Sequence, residues 1–356
     1  MNFQLPFNGL GLIEQYKFQS TESLTDQLLE TTAALHQCYG YTIALPTEVL
    51  LPFMRMMQIV ELKNSFELEG MPIAYSRLFE ALCMEAKIKD KTIQQILASR
   101  SGIQINQGIK GLELESIKTQ SKSSDIYRHK TDQKIMSYYT NLCLYTPPSS
   151  AAVLDKLKQN LQQHLLSASD QKSIVQQAIL HFQIRAVAPF ITQNGIVARH
   201  YSIQALQNLQ LDFFSLPIAY SLQPKKEQYN TLIKESLQTK QIDNWVILYA
   251  QCMQEAAQHL QKRIGQYLVL RKSVFEQMHK YLDYVLPSET LLKALFEQPY
   301  INANQICKAL NCHRQTAYLY LTHLCKLGLL IPKKIGRETL YWHKAYFDLL
   351  SSEPLS

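Results

Sequence analysis

The sequence predicts a mainly α-helical protein, with one small β-hairpin in its middle and a short unit of helices and strands at its C-terminal end. Three observations carry this prediction. Only 11 of the 356 residues are glycine, and Leu, Gln and Ala are abundant, which favours helices over sheets. Apolar residues recur at helical spacing over most of the chain. That pattern changes between Ile103 and Tyr145, and a different organisation follows Pro287. The length allows two or three domains, at 1–100, 101–284 and 285–356, and 46% hydrophobic residues supply ample core.

Seven cysteines, at 38, 83, 143, 252, 307, 312 and 325, form no CxxC pair and are odd in number. Reduced thiols in a cytoplasmic protein are the expectation. Cys307, Cys312 and His313 fit no usual zinc spacing, and no metal site is expected. The opening MNFQLPFNGLGLI lacks a basic n-region and no apolar run reaches bilayer length, so no membrane partner is expected.

Residues from about Ser20 to Glu69 read as helical. Leu24, Leu28, Leu29 and Ala33 or Leu35 make one apolar stripe, and Leu51, Met54, Met57 and Ile59 contribute to another, with the methionines as core filler. The stretch ends on Ser65-Phe66-Glu67-Leu68-Glu69-Gly70. Ser65 and Glu69 lie four apart and share a helix face, and Gly70 suits the left-handed residue that closes a helix. A carboxylate at that end faces the negative pole of the helix dipole, so Glu69 gains from a cation.

Between Ile103 and Tyr145, Gly102, Gly108 and Gly111 punctuate the chain and Lys118 to Ser124 reads as an exposed loop. Tyr127-Arg128 and then Ile135 to Leu144, with Tyr138, Tyr139 and Tyr145, fit a β-hairpin. Thr146-Pro147-Pro148 ends it, and a helix follows from Val153 to Leu166.

The stretch His181 to Arg199 has the layout of a phosphate-handling loop. An apolar helix ends at Pro189, a polar turn Thr192-Gln193-Asn194-Gly195 follows, and a second helix begins near Ile196 and carries Arg199. Such a turn aims free backbone N–H groups and a helix N-terminus at whatever sits over it, which favours an anion.

This stretch resembles the signature of the Fic family, H-P-F-x-[D/E]-G-N-G-R-x-x-R, whose members transfer AMP or a related group onto protein hydroxyls. Pro189, Phe190, Asn194, Gly195 and Arg199 match it without a gap. The family's catalytic histidine falls on Ala188, its metal-binding acid on Thr192, its first glycine on Gln193 and its first phosphate-binding arginine on Ile196. A positioned general base is worth roughly a hundred- to ten-thousand-fold in rate, and Ala188 accepts no proton. Thr192 and Ile196 replace neither an anionic ligand nor a cation. His181 lies about two helical turns before Ala188, and His200 follows Arg199, so neither stands in.

The resemblance extends both ways. Ser65, Glu69 and Gly70 lie on the family's inhibitory helix, [S/T]-x-x-x-E-[G/N], in which the glutamate pairs with the second signature arginine, here Arg199. The hairpin falls where the family holds a target peptide by strand addition. Leu216 to Ser221, Tyr229 to Leu232 and the helix from Asp243 to Leu270 resemble the helices that close the family's core, with Lys225-Lys226 where the family often supplies an asparagine to the nucleotide. The resemblance implies a helical fold, Asn194, Gly195 and Arg199 as anion or nucleotide contacts, and no cofactor, with ATP and Mg only if transfer chemistry survives.

A long helix ending near Tyr284 leads to Pro287-Ser288. Beyond it Leu291, Leu292, Leu295 and Phe296 form one helix face, Ile306 and Leu310 mark a second helix, and Asn311-Cys312-His313 turns into a third. There Ala317, Leu321, Leu324 and Leu327 face inward, leaving Arg314, Gln315, Tyr318, Thr322 and Lys326 outward before Gly328. Leu329 to Ile331 and Thr339 to Trp342 read as strands joined by a loop holding Lys333, Lys334 and Arg337. This is the pattern of a winged helix-turn-helix, suited to duplex DNA, with Arg314 and Gln315 on base edges and Lys333, Lys334 and Arg337 on phosphates. From Arg314 to Lys344 there are six Lys or Arg and one Glu, an excess of five in a chain of net charge +7. Such modules also dock proteins or dimerise.

Two functions follow. One is a transcriptional regulator or accessory protein with an inactive Fic-like core. The other is a protein adenylyltransferase or phosphotransferase with altered or residual activity.

Overall fold

Thr21 opens the first helix, α1 (Glu22–Ile43), its hydroxyl accepting the Leu24 N–H at 3.2 Å, as N-cap hydroxyls do. A computed structural model describes the chain apart from residues 1–4, 85–88, 102–125, 129–133, 138–139, 168–172, 214, 283–287, 337 and 353–356. The helical stretch expected from Ser20 to Glu69 is two helices, because Ala44 to Pro46 separates α1 from α2 (Thr47–Leu68). The stripe of α1 is Leu24, Thr31, Leu35 and Cys38. Leu29 is 64% exposed and Ala33 is exposed, one position off the buried face. In α2, Met54, Met56 and Met57 fill core, but its last three turns also bury Glu61, Asn64 and Ser65. Polar residues inside a helix that is buried all round need partners.

After α3 (Tyr75–Met84) and α4 (Lys91–Ala98), the chain reaches the hairpin β1 (Ile135–Met136) and β2 (Cys143–Tyr145), antiparallel with an irregularity between Ile135 and Met136. The expected loop Lys118–Ser124 and hairpin residues Tyr138 and Tyr139 lie outside the described residues. Tyr127 and Arg128 do not join the hairpin. Tyr127 instead bridges antiparallel to Phe190.

The centre holds α5 (Ala151–Leu166), α6 (Ile174–Val187), α7 (Asn194–Ala205), α8 (Ile218–Leu222) and α9 (Lys226–Thr239). From Leu180 to Val187 and from Asn194 to Ile203 every residue is buried, marking α6 and α7 as the innermost pair. The 40-residue α10 (Asp243–Leu282) runs beside them, its buried Trp245 donating from Nε1 to the Ala178 carbonyl at 2.9 Å. α1 lies along α10, and α2 packs on α7 and α8, so residues 1–100 and 101–284 share one core. Among the described residues no helix is long and apolar enough to cross a membrane.

The C-terminal unit comprises α11 (Ser288–Leu295), β3 (Tyr300–Ile301), α12 (Ala303–Leu310), α13 (Arg314–Lys326), β4 (Ile331–Ile335), β5 (Glu338–Trp342) and α14 (Lys344–Ser351). Its antiparallel sheet has the order β3-β5-β4, with Lys333 opposite Leu340 and Tyr300 opposite Trp342. Leu329 and Leu330 precede the strand, and Lys333 and Lys334 lie within β4 rather than in a loop. Gly336, at φ +59°, follows β4 directly, and Arg337 and the boundary at Pro287 lie outside the described residues. Two residues of β3 and the last helix, α14, complete the unit.

The unit is docked on the rest of the chain. Arg263 of α10, 4% exposed, donates to the carbonyls of Leu349, Leu350 and Ser352 at 2.6–3.0 Å, closing the C-terminal end of α14. Asn302 donates to the Cys83 carbonyl at 3.4 Å, and Lys333 pairs with Glu80 of α3.

Candidate functional site

α2 ends in a Schellman motif. The Met71 N–H bonds the Phe66 carbonyl and the Gly70 N–H bonds the Glu67 carbonyl, both at 3.0 Å, with Gly70 at φ +78°. This closure fixes Glu69 as the residue that caps the helix and turns its carboxylate inward. Glu69 Oε1 lies 3.1 Å from Arg199 Nη2, and Oε2 lies 3.6 Å from Arg185 Nη1. Arg199, wholly buried, also donates from Nε to the Ser65 hydroxyl at 2.6 Å and from Nη2 to the Ser65 carbonyl at 2.9 Å. Ser65 and Glu69, one turn apart, thus grip one guanidinium.

The carboxylate rests over the first turn of α7. A Cβ placed on Gly195 would stand 1.9 Å from Glu69 Oε1, so only glycine permits this approach. Burial alone would raise the Glu69 carboxyl, but the charges of Arg185 and Arg199 and the Arg199 hydrogen bond outweigh it and hold the group below its ordinary value. The place where a helix N-terminus favours an anion is occupied by the chain's own carboxylate.

The loop between α6 and α7 is held from both sides. Ala188 closes α6 at φ +46° and Gln193 opens α7 at φ +63°, two left-handed residues that reverse the chain. α7 starts at Asn194, two residues before the expected Ile196. Asn194 spans the loop, accepting the Phe190 N–H and donating to the Phe190 carbonyl, both at 2.9 Å. These bonds tie its side chain to the loop. Arg128 reaches in from the other side, donating to the carbonyls of Val187, Ala188 and Pro148, while its N–H bonds the Pro189 carbonyl at 2.9 Å.

Known proteins resemble this chain in fold and in its C-terminal part. Residues 270–346 match the family model of the C-terminal domain of SoFic-like protein adenylyltransferases. The chain also superposes on the crystal structure of a Fic family protein from Desulfovibrio desulfuricans G20, with a TM-score of 0.56 and 14% identity, over 92% of this chain and 97% of that one. This is a Fic-fold protein with a SoFic-like C-terminal domain. Fic-1 from C. elegans aligns over 68% of this chain and 73% of its own, at 14% identity and a TM-score of 0.45.

In this Fic-fold protein Ala188, Thr192 and Ile196, which the resemblance sets at the signature's reactive positions, carry no acid, base or cation. Ala188 is 4% exposed, Ile196 is wholly buried in the apolar core, and Thr192 is half-buried. His181 is bonded through its ring nitrogens to the Ser202 hydroxyl at 2.6 Å and the Tyr229 hydroxyl at 2.9 Å. Burial, then the charges of Arg199 and Arg185, hold its pKa well below the ordinary value. Burial and Arg199 likewise push His200 down to about 4. Both imidazoles are core groups.

Two members of the Fic-fold site were not anticipated. Arg185 sits on the last turn of α6, its guanidinium 5.6 Å from the Tyr229 ring and 3.4 Å from Asn230 Oδ1. Asn230 in turn donates to the Met136 carbonyl at 3.1 Å, joining the clamp to the hairpin. The available signal was an arginine in a helix that carries no other Lys, Arg, Asp or Glu. Glu61 is four residues before Ser65 on the same face. Both of its oxygens accept the Ala219 N–H, at 3.0 and 2.9 Å, and burial pushes its pKa up to about 8 against the pull of Arg199. The spacing Glu61-Ser65-Glu69 was its signal.

In the SoFic-like domain, Arg314, Gln315, Tyr318, Thr322 and Lys326 form an exposed strip along α13, with Arg314 donating to the Tyr318 hydroxyl at 3.2 Å. Lys334 is exposed on β4. Lys333, expected to meet phosphates, pairs here with Glu80.

Proposed function

We propose that this protein is a DNA-binding regulator built on a Fic-type core that no longer transfers AMP. The observation that carries the reading is the strip from Arg314 to Lys326, exposed along a helix flanked by the β4–β5 hairpin. In a winged-helix reading α13 enters the major groove, with Arg314 on guanine and Gln315 on adenine, and Lys334 and Arg337 meet phosphates. Lys333 contributes once Glu80 releases it. The core supports an inactive role through Ala188, Thr192 and Ile196, which provide no base, metal ligand or cation. It needs no cofactor, and the hairpin edge suits an extended peptide or a second copy of the chain.

Selection of DNA fragments by the purified protein at about 0.15 M salt tests this, beside an Arg314→Ala/Lys334→Ala double variant, because phosphate contacts alone mimic binding at low salt. A shared site enriched by the wild type and lost in the variant supports the reading. Absence of enrichment assigns the α13 face to protein docking.

A second reading, a phosphotransferase of altered chemistry using ATP and Mg, is favoured by Arg185. It sets a second guanidinium beside Arg199 at the mouth of α7, a charge that the signature lost at Ile196. Labelled-nucleotide transfer by the wild type and by Glu69→Ala separates the two. No label in either is expected, and label abolished by Arg199→Ala would establish the enzyme.

A further inference from the structure

Cys307 and Cys312 stand on either side of the turn that leads into α13. Asn311 closes α12 in the left-handed region, at φ +47°, and its N–H bonds the Cys307 carbonyl. The Cys312 N–H bonds the same carbonyl at 3.2 Å. These are the fourth-from-last and second-beyond positions of a helix terminus of this kind, whose side chains frequently pack on each other. The shared carbonyl keeps the two Cα atoms within roughly 7 Å, near the span of about 4.4–6.8 Å that a disulfide bridges. Both cysteines are half-buried, so a small molecule reaches them without unfolding, whereas Cys38, Cys83 and Cys252 are buried. Burial, and then the neighbouring Cys307 thiol, raise Cys312 above its ordinary value.

We propose that Cys307 and Cys312 are a reversible thiol–disulfide modification site, oxidised by exchange with a small-molecule disulfide such as oxidised glutathione. One thiolate of the pair attacks a sulfur of the reagent, breaking its S–S bond and releasing one glutathione thiolate. The second thiolate then attacks the protein sulfur of the mixed disulfide and releases the other. The two protein thiols give up two electrons and two protons, and the reagent leaves as two reduced thiols. The closed loop is short, so the bridge adds less stability than a long-range one, and partial exposure keeps it reducible, which suits reversal. Its place is informative. Arg314, the first residue of α13, lies two residues beyond Cys312, so the bridge fixes the direction in which that helix leaves the turn. The chemistry of the pair is independent of whether α13 meets DNA.

The full-length protein is equilibrated in glutathione buffers of increasing oxidised fraction, alkylated, digested and mapped by mass spectrometry. The expected result is the loss of two of the seven alkylatable thiols, with Cys307 and Cys312 joined ahead of any other pair and freed again by dithiothreitol. Cys307→Ser and Cys312→Ser each abolish that linked peptide. The wild-type map decides the matter even if a variant folds poorly. Seven alkylated cysteines in the most oxidising buffer, separate glutathione adducts at both positions, or a first bridge elsewhere would each overturn the proposal.

Discussion

Glu69 is the carboxylate that meets both Arg185 and Arg199, and its removal leaves two buried guanidinium groups without it. Glu69→Ala is expected to cost roughly 3–5 kcal/mol in urea denaturation, the usual consequence of breaking a buried ion pair from one side. Sulfate should return more stability to the variant than it adds to the wild type, since an oxyanion fits the vacated place over α7. A loss below about 1 kcal/mol would show that the clamp is not structural. Because the folded pKa of Glu69 is depressed, the wild-type contribution is present above the unfolded value near 4.5 and drains away as pH falls through the folded value. Ser65, Glu69 and Gly70 were legible from spacing and helix-end chemistry, and Arg199 as the partner of Glu69 only through the family resemblance. Arg185 and Glu61 were not, because a linear pattern shows that a charge is out of place and not which distant residue answers it.

Arg128 does for the loop between α6 and α7 what Glu69 does for the helix ends, tying three carbonyls with one side chain. Arg128→Met removes donors from Val187, Ala188 and Pro148 and is expected to lower stability by about 3 kcal/mol, with faster amide exchange from Ala188 to Gln193. Unchanged exchange there would mean that the left-handed residues hold the turn unaided. The helices were legible because their apolar periods are long. Tyr127-Arg128 was assigned to the hairpin because β-forming residues announce an extended strand but not its partner, and the partner is Phe190, more than sixty positions away. Two-residue β3 is shorter than any period that could reveal it.

Across the whole molecule, the C-terminal unit is fastened by Arg263, by Asn302 on Cys83 and by Lys333 on Glu80. Wild-type protein is therefore expected to melt in one calorimetric transition, and Arg263→Ala, which deprives three carbonyls at the end of α14, to lose about 3 kcal/mol and split it in two. A single unshifted transition in the variant would show that the other fastenings suffice. The two-part organisation was legible from the change of pattern near Pro287, while the docking was not, since it depends on the end of α14 meeting the middle of α10. That helix is a rod about 60 Å long, pinned near one end by Trp245 under α6 and farther along by Arg263 under α14. A tilt of about one degree at the first pin carries the far tip through about 1 Å. Small shifts of the α6 turn that holds Trp245 through Ala178 are thereby magnified, as on the long arm of a balance, into a change of bearing at the other end of the molecule.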